Sequence, residues 1–154
     1  MSMISPADQQ KLRDAFTEMT RPVRLLFFTQ TLGCETCPQT RRILDELPPL
    51  SDKITVEDVN VILEGDRVKR YGVDRAPSVA IEYQGTHDAD AAGSVDWTDS
   101  RIRFVGTPAG YEFMSLVQAV LLAGGRESML SAASRERIAA IDRPISMHVF
   151  TTPT

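Results

Sequence analysis

The period of the apolar positions changes several times along the chain, and each change marks an element. Leu12, Phe16 and Met19 recur at helical spacing behind Ser5-Pro6, an N-cap residue followed by proline at the first helical position, which predicts a helix ending near Thr20. Arg21-Pro22 breaks it. Val23-Arg24-Leu25-Leu26-Phe27-Phe28-Thr29 is then apolar almost throughout, the pattern of a strand buried on both faces. Over residues 40–47, Ile43, Leu44 and Leu47 fall on one side and Arg41, Arg42, Asp45 and Glu46 on the other, a helix that Pro48-Pro49 ends. Residues 54–61 alternate apolar and polar, which predicts a strand with one buried face. A short helix follows over 65–71, then a strand introduced by Pro77 that runs to Tyr83 and is turned by Gln84-Gly85. The stretch 85–100 is rich in Asp, Ala, Gly and Ser and is expected to be an exposed polar insertion. Residues 102–105 form a fourth strand. A helix over 111–123, closed by Gly124-Gly125, carries the apolar stripe Phe113, Leu116, Val117, Val120 and Leu121.

After the leading helix the order is therefore β-α-β-α-β-β-α. Strand-to-helix links imply parallel pairing in the first half, and the short link from Tyr83 to Ile102 implies an antiparallel hairpin in the second. The expected fold class is α/β: a central mixed four-stranded sheet with helices on both faces, a thioredoxin-like fold over residues 1–125. Residues 126–154 are expected to be an appendage. Arg21-Pro22 and Phe28-Thr29 recur 122 residues later as Arg143-Pro144 and Phe150-Thr151. A helix over 134–141, with Ile138 and Ile141 inward, is expected to lead into a strand over 145–150. The same offset carries Cys34 to position 156, two residues past Thr154, so a second dithiol is expected to be cut off just before it begins. Such a terminal strand needs a neighbour for its backbone groups, and pairing at a sheet edge, across a homodimer, is expected.

Composition narrows the function classes. With 154 residues, 42% of them apolar, the chain can bury one core plus an extension. A formal charge of -4 and the absence of Lys/Arg runs argue against a nucleic-acid partner. Neither a leader pattern at the N-terminus nor an apolar run of membrane-spanning length is present, so a cytoplasmic location and no membrane partner are expected.

In that reducing setting the only two cysteines, in Cys34-Glu35-Thr36-Cys37, read as catalytic, redox-sensing or metal-binding rather than as a staple. They stand where the first strand gives way to a helix, whose free N–H groups and partial positive charge favour a thiolate. Two intervening residues put both sulfurs on one turn, so that Cys34 attacks and Cys37 resolves. A zinc site would need four ligands, and His87 and His148 lie at no zinc-finger spacing from the cysteines, so no metal is expected. A cluster shared between two chains and a pair of inert buried thiols are the remaining alternatives.

With these residues in hand, the chain resembles the two-unit, glutaredoxin-like protein disulfide oxidoreductases. The matching segments are the helix leading to Arg21-Pro22-Val23, the Cys34-Glu35-Thr36-Cys37 motif, Tyr71-Gly72-Val73-Asp74-Arg75-Ala76-Pro77, Val105-Gly106-Thr107-Pro108-Ala109-Gly110-Tyr111-Glu112-Phe113, and Val149-Phe150-Thr151-Thr152-Pro153-Thr154. The resemblance implies that Pro77 is the cis-proline of the fold and that Ala76 offers its N–H and C=O to a substrate peptide. It also implies protein disulfides as substrates, a thiol or reductase as electron donor, and no bound cofactor. Arg75 on that loop would favour a Cys34 thiolate, while Glu35 between the sulfurs opposes it; a moderately lowered Cys34 pKa and a fairly reducing potential are expected. The chain departs from thioredoxins in having Phe28 where they have a buried aspartate, which leaves Glu57 and Glu35 as candidates to take the proton of Cys37. The resemblance extends to the N-terminal region of flavoproteins that reduce alkyl hydroperoxide peroxidases, which makes a partner-specific electron relay the alternative. A non-enzymatic thioredoxin-like interaction module is the rival from another class. Trp97 is expected either to cover the mouth of the site or to pack the hairpin, and His148 to sit in mid-strand.

Overall fold

The structure is a computed structural model and describes residues 4–85 and 96–149. The elements are α1 (Pro6–Phe16), β1 (Val23–Thr29), α2 (Cys37–Asp45), β2 (Ile54–Asn60), α3 (Gly65–Tyr71), β3 (Ser78–Gln84), β4 (Trp97–Val105), α4 (Tyr111–Ala123) and α5 (Ala132–Ala139). Ser5 caps α1, its hydroxyl accepting from the Asp8 N–H at 3.2 Å, with Pro6 behind it. The helix ends at Phe16, earlier than its apolar spacing suggests. The amides of Thr17, Glu18 and Met19 bond three residues back, so a tighter turn carries Met19 into the core in place of another helical turn.

Strand order is β2-β1-β3-β4. β1 pairs parallel with β2 (Val23 opposite Ile54) and antiparallel with β3 (Phe28 opposite Ser78), and β3 pairs antiparallel with β4 (Ser78 opposite Val105). The central position of β1 explains its apolar run. Leu25 and Phe27 enter a core with Phe16 of α1, Leu44 of α2 and Leu116 of α4, while Leu26 and Phe28 enter a second core with Val59, Ala80 and Tyr71 of α3. Helices thus cover both faces, and the α/β, thioredoxin-like reading holds. The carboxyl ends of β1, β2 and β4 and the start of β3 meet at one end of the sheet.

Three expectations change. β2 is not one-sided: two consecutive polar residues, Glu57-Asp58, shift the phase, so Ile54 is buried with the first core and Val59 with the second. β4 begins at Trp97, inside the expected insertion, whose residues 86–95 lie outside the described residues. Its polar residues mend an irregular ladder: opposite a register shift near Ile81, Arg101 turns to φ 63°, and the Ser100 hydroxyl donates to Ile81 O at 2.6 Å. The appendage is also different. α5 spans Ala132–Ala139 and buries no residue; Ile138 is 56% and Ile141 49% exposed, not inward. Residues 145–149 form no strand and His148 is exposed; Phe150 lies outside the described residues. An apolar alternation specifies a strand only where a sheet edge receives it, and neither β2 nor β4 does so.

A candidate dithiol site at the carboxyl end of the sheet

After β1 the chain turns through Gly33, whose φ of 76° suits glycine, and delivers Cys34 to the end of the sheet. Thr36 is the N-cap residue of α2 and Cys37 its first helical residue, with Pro38 at the next position. The two sulfurs are joined in a disulfide, with Cα atoms 5.4 Å apart. Their environments differ. Cys37 is 4% exposed, within the core under α2, whereas Cys34 is half-buried at the rim of that core.

The loop before β3 comes to the same end. The Ala76–Pro77 bond is cis, as the resemblance implied, and Ala76 packs against the core that Cys34 touches. The Ser78 hydroxyl closes the loop by donating to Arg75 O at 2.7 Å, and the Gly106 N–H donates to Pro77 O at 2.9 Å. The loop beyond β4 is tied in turn to α2 through the hydroxyls of Thr107 and Thr40, 2.8 Å apart.

Not every residue singled out in the sequence joins this cluster as expected. Arg75 is exposed and its guanidinium grips Asp74 with bonds of 2.9 and 2.8 Å, which holds the Asp74 carboxyl below its usual range. Glu57 lies on the α3 face of the sheet, across from the core that holds Cys37, and is tied to Arg24 (2.9 Å) and Arg67 (2.7 Å). It is no proton acceptor for Cys37. Phe28 is fully buried on that same face against Tyr71, ring centroids 5.8 Å apart. Glu35, exposed between the cysteines, remains. Trp97 covers no active-site mouth: it starts β4 opposite Gln84, at the far end of the sheet, with Arg24 over its ring at 4.5 Å.

Two features escaped the sequence reading. Thr40 and Thr107 looked like an ordinary helix residue and an ordinary turn residue; a threonine four positions after a helix N-cap, able to bond back to its carbonyl, was the available signal. Glu82 of β3, which the sequence pattern did not single out, is 1% exposed, accepting from Arg24 Nη2 at 2.5 Å and Nε at 2.8 Å, and from the Tyr71 hydroxyl. Opposite charges in mid-strand on the neighbouring β1 and β3 were its signal.

No family model matches the chain. The alkyl hydroperoxide reductase protein AhpF of Escherichia coli (strain K12) is 27% identical over 140 residues, covering 91% of this chain and 22% of that protein. Among solved structures, the NTD_N/C domain of alkylhydroperoxide reductase AhpF from Enterococcus faecalis (V583) superposes with a TM-score of 0.73 at 29% identity, over 91% of this chain and 62% of that one. A protein disulfide oxidoreductase from Aeropyrum pernix K1 gives 0.67 at 25% identity, over 88% of this chain and 54% of that one. The chain thus spans about a fifth of the Escherichia coli relative and between half and two thirds of these structures. It is a thioredoxin-fold Cys-x-x-Cys protein with homologues among these proteins. Among the described residues no helix is long and apolar enough to cross a membrane.

Proposed function

We propose that the protein is a thiol-disulfide oxidoreductase that exchanges its Cys34/Cys37 dithiol with protein disulfides. The carrying observation is the asymmetry of the pair: one cysteine half-buried at the rim and one within the core on the same turn. The Cys34 thiolate attacks a substrate disulfide, forming a mixed disulfide and releasing one substrate thiolate. Cys37, as its thiolate, then attacks the Cys34 sulfur, releases the second substrate thiol and closes the Cys34–Cys37 bond. The substrate gains two electrons and the dithiol loses them; a thiol or a reductase restores it. The backbone of Ala76-Pro77 lies at the same end of the sheet and is the surface on which a substrate strand pairs, with Arg75 beside it. The proton of Cys37 leaves through solvent or Glu35.

An insulin-reduction assay with dithiothreitol tests this reading: the wild type accelerates precipitation and Cys34→Ser does not. Equal rates would remove the activity and leave an interaction module. A second reading is favoured by the likeness to the alkyl hydroperoxide reductase AhpF proteins. In it the dithiol relays electrons between a reductase and a peroxidase disulfide, and a peroxidase is then reduced faster than insulin. The expected setting of either activity is the cytoplasm. Residues 126–154 act as a separate appendage to the 1–125 domain. Ile145, Met147 and Val149, exposed and alternating, form no strand within one copy and are the segment that pairs only between two copies, which size-exclusion chromatography of wild type against Met147→Lys tests.

A further inference from the structure

Thr40 is completely buried, and its hydroxyl lies 3.0 Å from Thr36 O, to which its own N–H also donates at 3.0 Å. A carbonyl only accepts, so the single hydroxyl proton of Thr40 is committed to Thr36. The 2.8 Å contact between Thr40 Oγ1 and Thr107 Oγ1 therefore has one polarity: Thr107 donates and Thr40 accepts. Thr107 follows Gly106, whose N–H holds Pro77 O. The chain Thr107 to Thr40 to Thr36 O thus anchors the carbonyl of a residue between the two cysteines to the loop that also holds the cis-proline.

That anchor matters because α2 has few others at its start. The side chain of Thr36, the N-cap residue, makes no capping bond, and Pro38 contributes no N–H. The first-turn donors left to face an anion are few, and their aim depends on where the Thr36 carbonyl is held. We propose that Thr40 and Thr107 are positioning residues that fix the first turn of α2 in the orientation that stabilises the Cys34 thiolate. The proposal rests on the reading of Cys34 as the attacking thiol.

Without the Thr107 hydroxyl, Thr40 loses its donor and the turn loses its tie to the loop, weakening the thiolate relative to the thiol by at most the worth of one hydrogen bond. At a fixed pH below the midpoint the thiolate fraction falls about three- to tenfold, which raises the midpoint of alkylation by roughly half to one pH unit. The test is iodoacetamide alkylation of the reduced full chain across a pH series, with mass mapping of the modified cysteine and circular dichroism on each variant. Thr107→Val and Thr40→Val raise the Cys34 midpoint, while Thr107→Ser and Thr40→Ser, which keep the hydroxyl, restore it. Thr107→Ala repeats the loss without added bulk and stands in if the valine variants unfold. An unchanged midpoint in a folded Thr107→Val or Thr107→Ala protein overturns the proposal, as does an equal shift in the serine variants. Modification of Cys37 in place of Cys34 in the wild type overturns instead the assignment on which the proposal rests.

Discussion

Replacing Tyr71 with phenylalanine removes one oxygen from a buried polar cluster between α3 and the sheet. Tyr71 is 6% exposed and its hydroxyl donates to Glu82 Oε1, while Arg24 binds Oε2. The phenylalanine ring keeps the contact with Phe28, so no cavity opens and the loss is that of a hydrogen bond to a charged acceptor, about 2 kcal/mol. In a chain of this size that lowers Tm by roughly 4–8 °C. The same surroundings displace the ionisation of the hydroxyl. Burial first, then the hydrogen bond to Glu82 and its negative charge, push the Tyr71 hydroxyl up to about 12 from an ordinary 10.0. A folded-state pKa raised above the unfolded one means that the stabilisation is complete below about pH 10 and is lost as pH rises through about 12. Thermal unfolding of the oxidised protein, wild type against Tyr71→Phe, should therefore show a gap at neutral pH that closes at strongly alkaline pH. Absorbance at the phenolate band should show a step well above the ordinary value near 10 that Tyr71→Phe removes. Equal Tm values at neutral pH, with no alkaline step lost in Tyr71→Phe, would refute the reasoning.

Other perturbations read other parts of the fold. Arg24→Met should cost about 3–5 kcal/mol by stranding the buried Glu82 carboxylate, and adding Glu82→Gln should recover part of the loss in a double-mutant cycle of urea midpoints. Gly125→Ala should cost about 2 kcal/mol or more, measured the same way, because φ is 99° there and a Cβ would run into the Thr20 hydroxyl. Arg103 holds the Asp99 carboxyl below its usual range through bonds of 2.8 and 2.6 Å, so that pair stabilises the fold above the unfolded value near 3.8 and loses its effect as pH falls through the lower folded value. Asp99→Asn should accordingly lower the urea midpoint at neutral pH and leave it unchanged in strong acid.

The elements around the dithiol were legible because their signals are local. Val23–Thr29 could be buried on both faces only at the centre of a sheet, and Gly65–Tyr71 and Tyr111–Ala123 carry their own start and stop residues. Non-local pairing was harder to read. The charged Glu82 is buried because Arg24 faces it from the adjacent strand, a consequence of register that neither segment shows alone. The end of the chain misled for the converse reason: 145–149 has the alternation of a strand, but alternation describes two faces, and a strand also needs an edge to bond with. At the site, the sequence pointed to Cys34, Cys37 and Ala76-Pro77, which the fold gathers at one end of the sheet. The Thr40–Thr107 bond was hidden because it joins residues far apart in sequence.

The central claim is that Cys34 is the attacking thiol and Cys37 the resolving one. The reduced Cys37→Ser and Cys34→Ser variants, each mixed with a disulfide-containing protein such as insulin and mapped by mass after acid quenching, test it directly. The account predicts that Cys37→Ser accumulates a mixed disulfide on Cys34 and that Cys34→Ser accumulates almost none. Accumulation on Cys37 in the Cys34→Ser protein, with none on Cys34 in its counterpart, would contradict it.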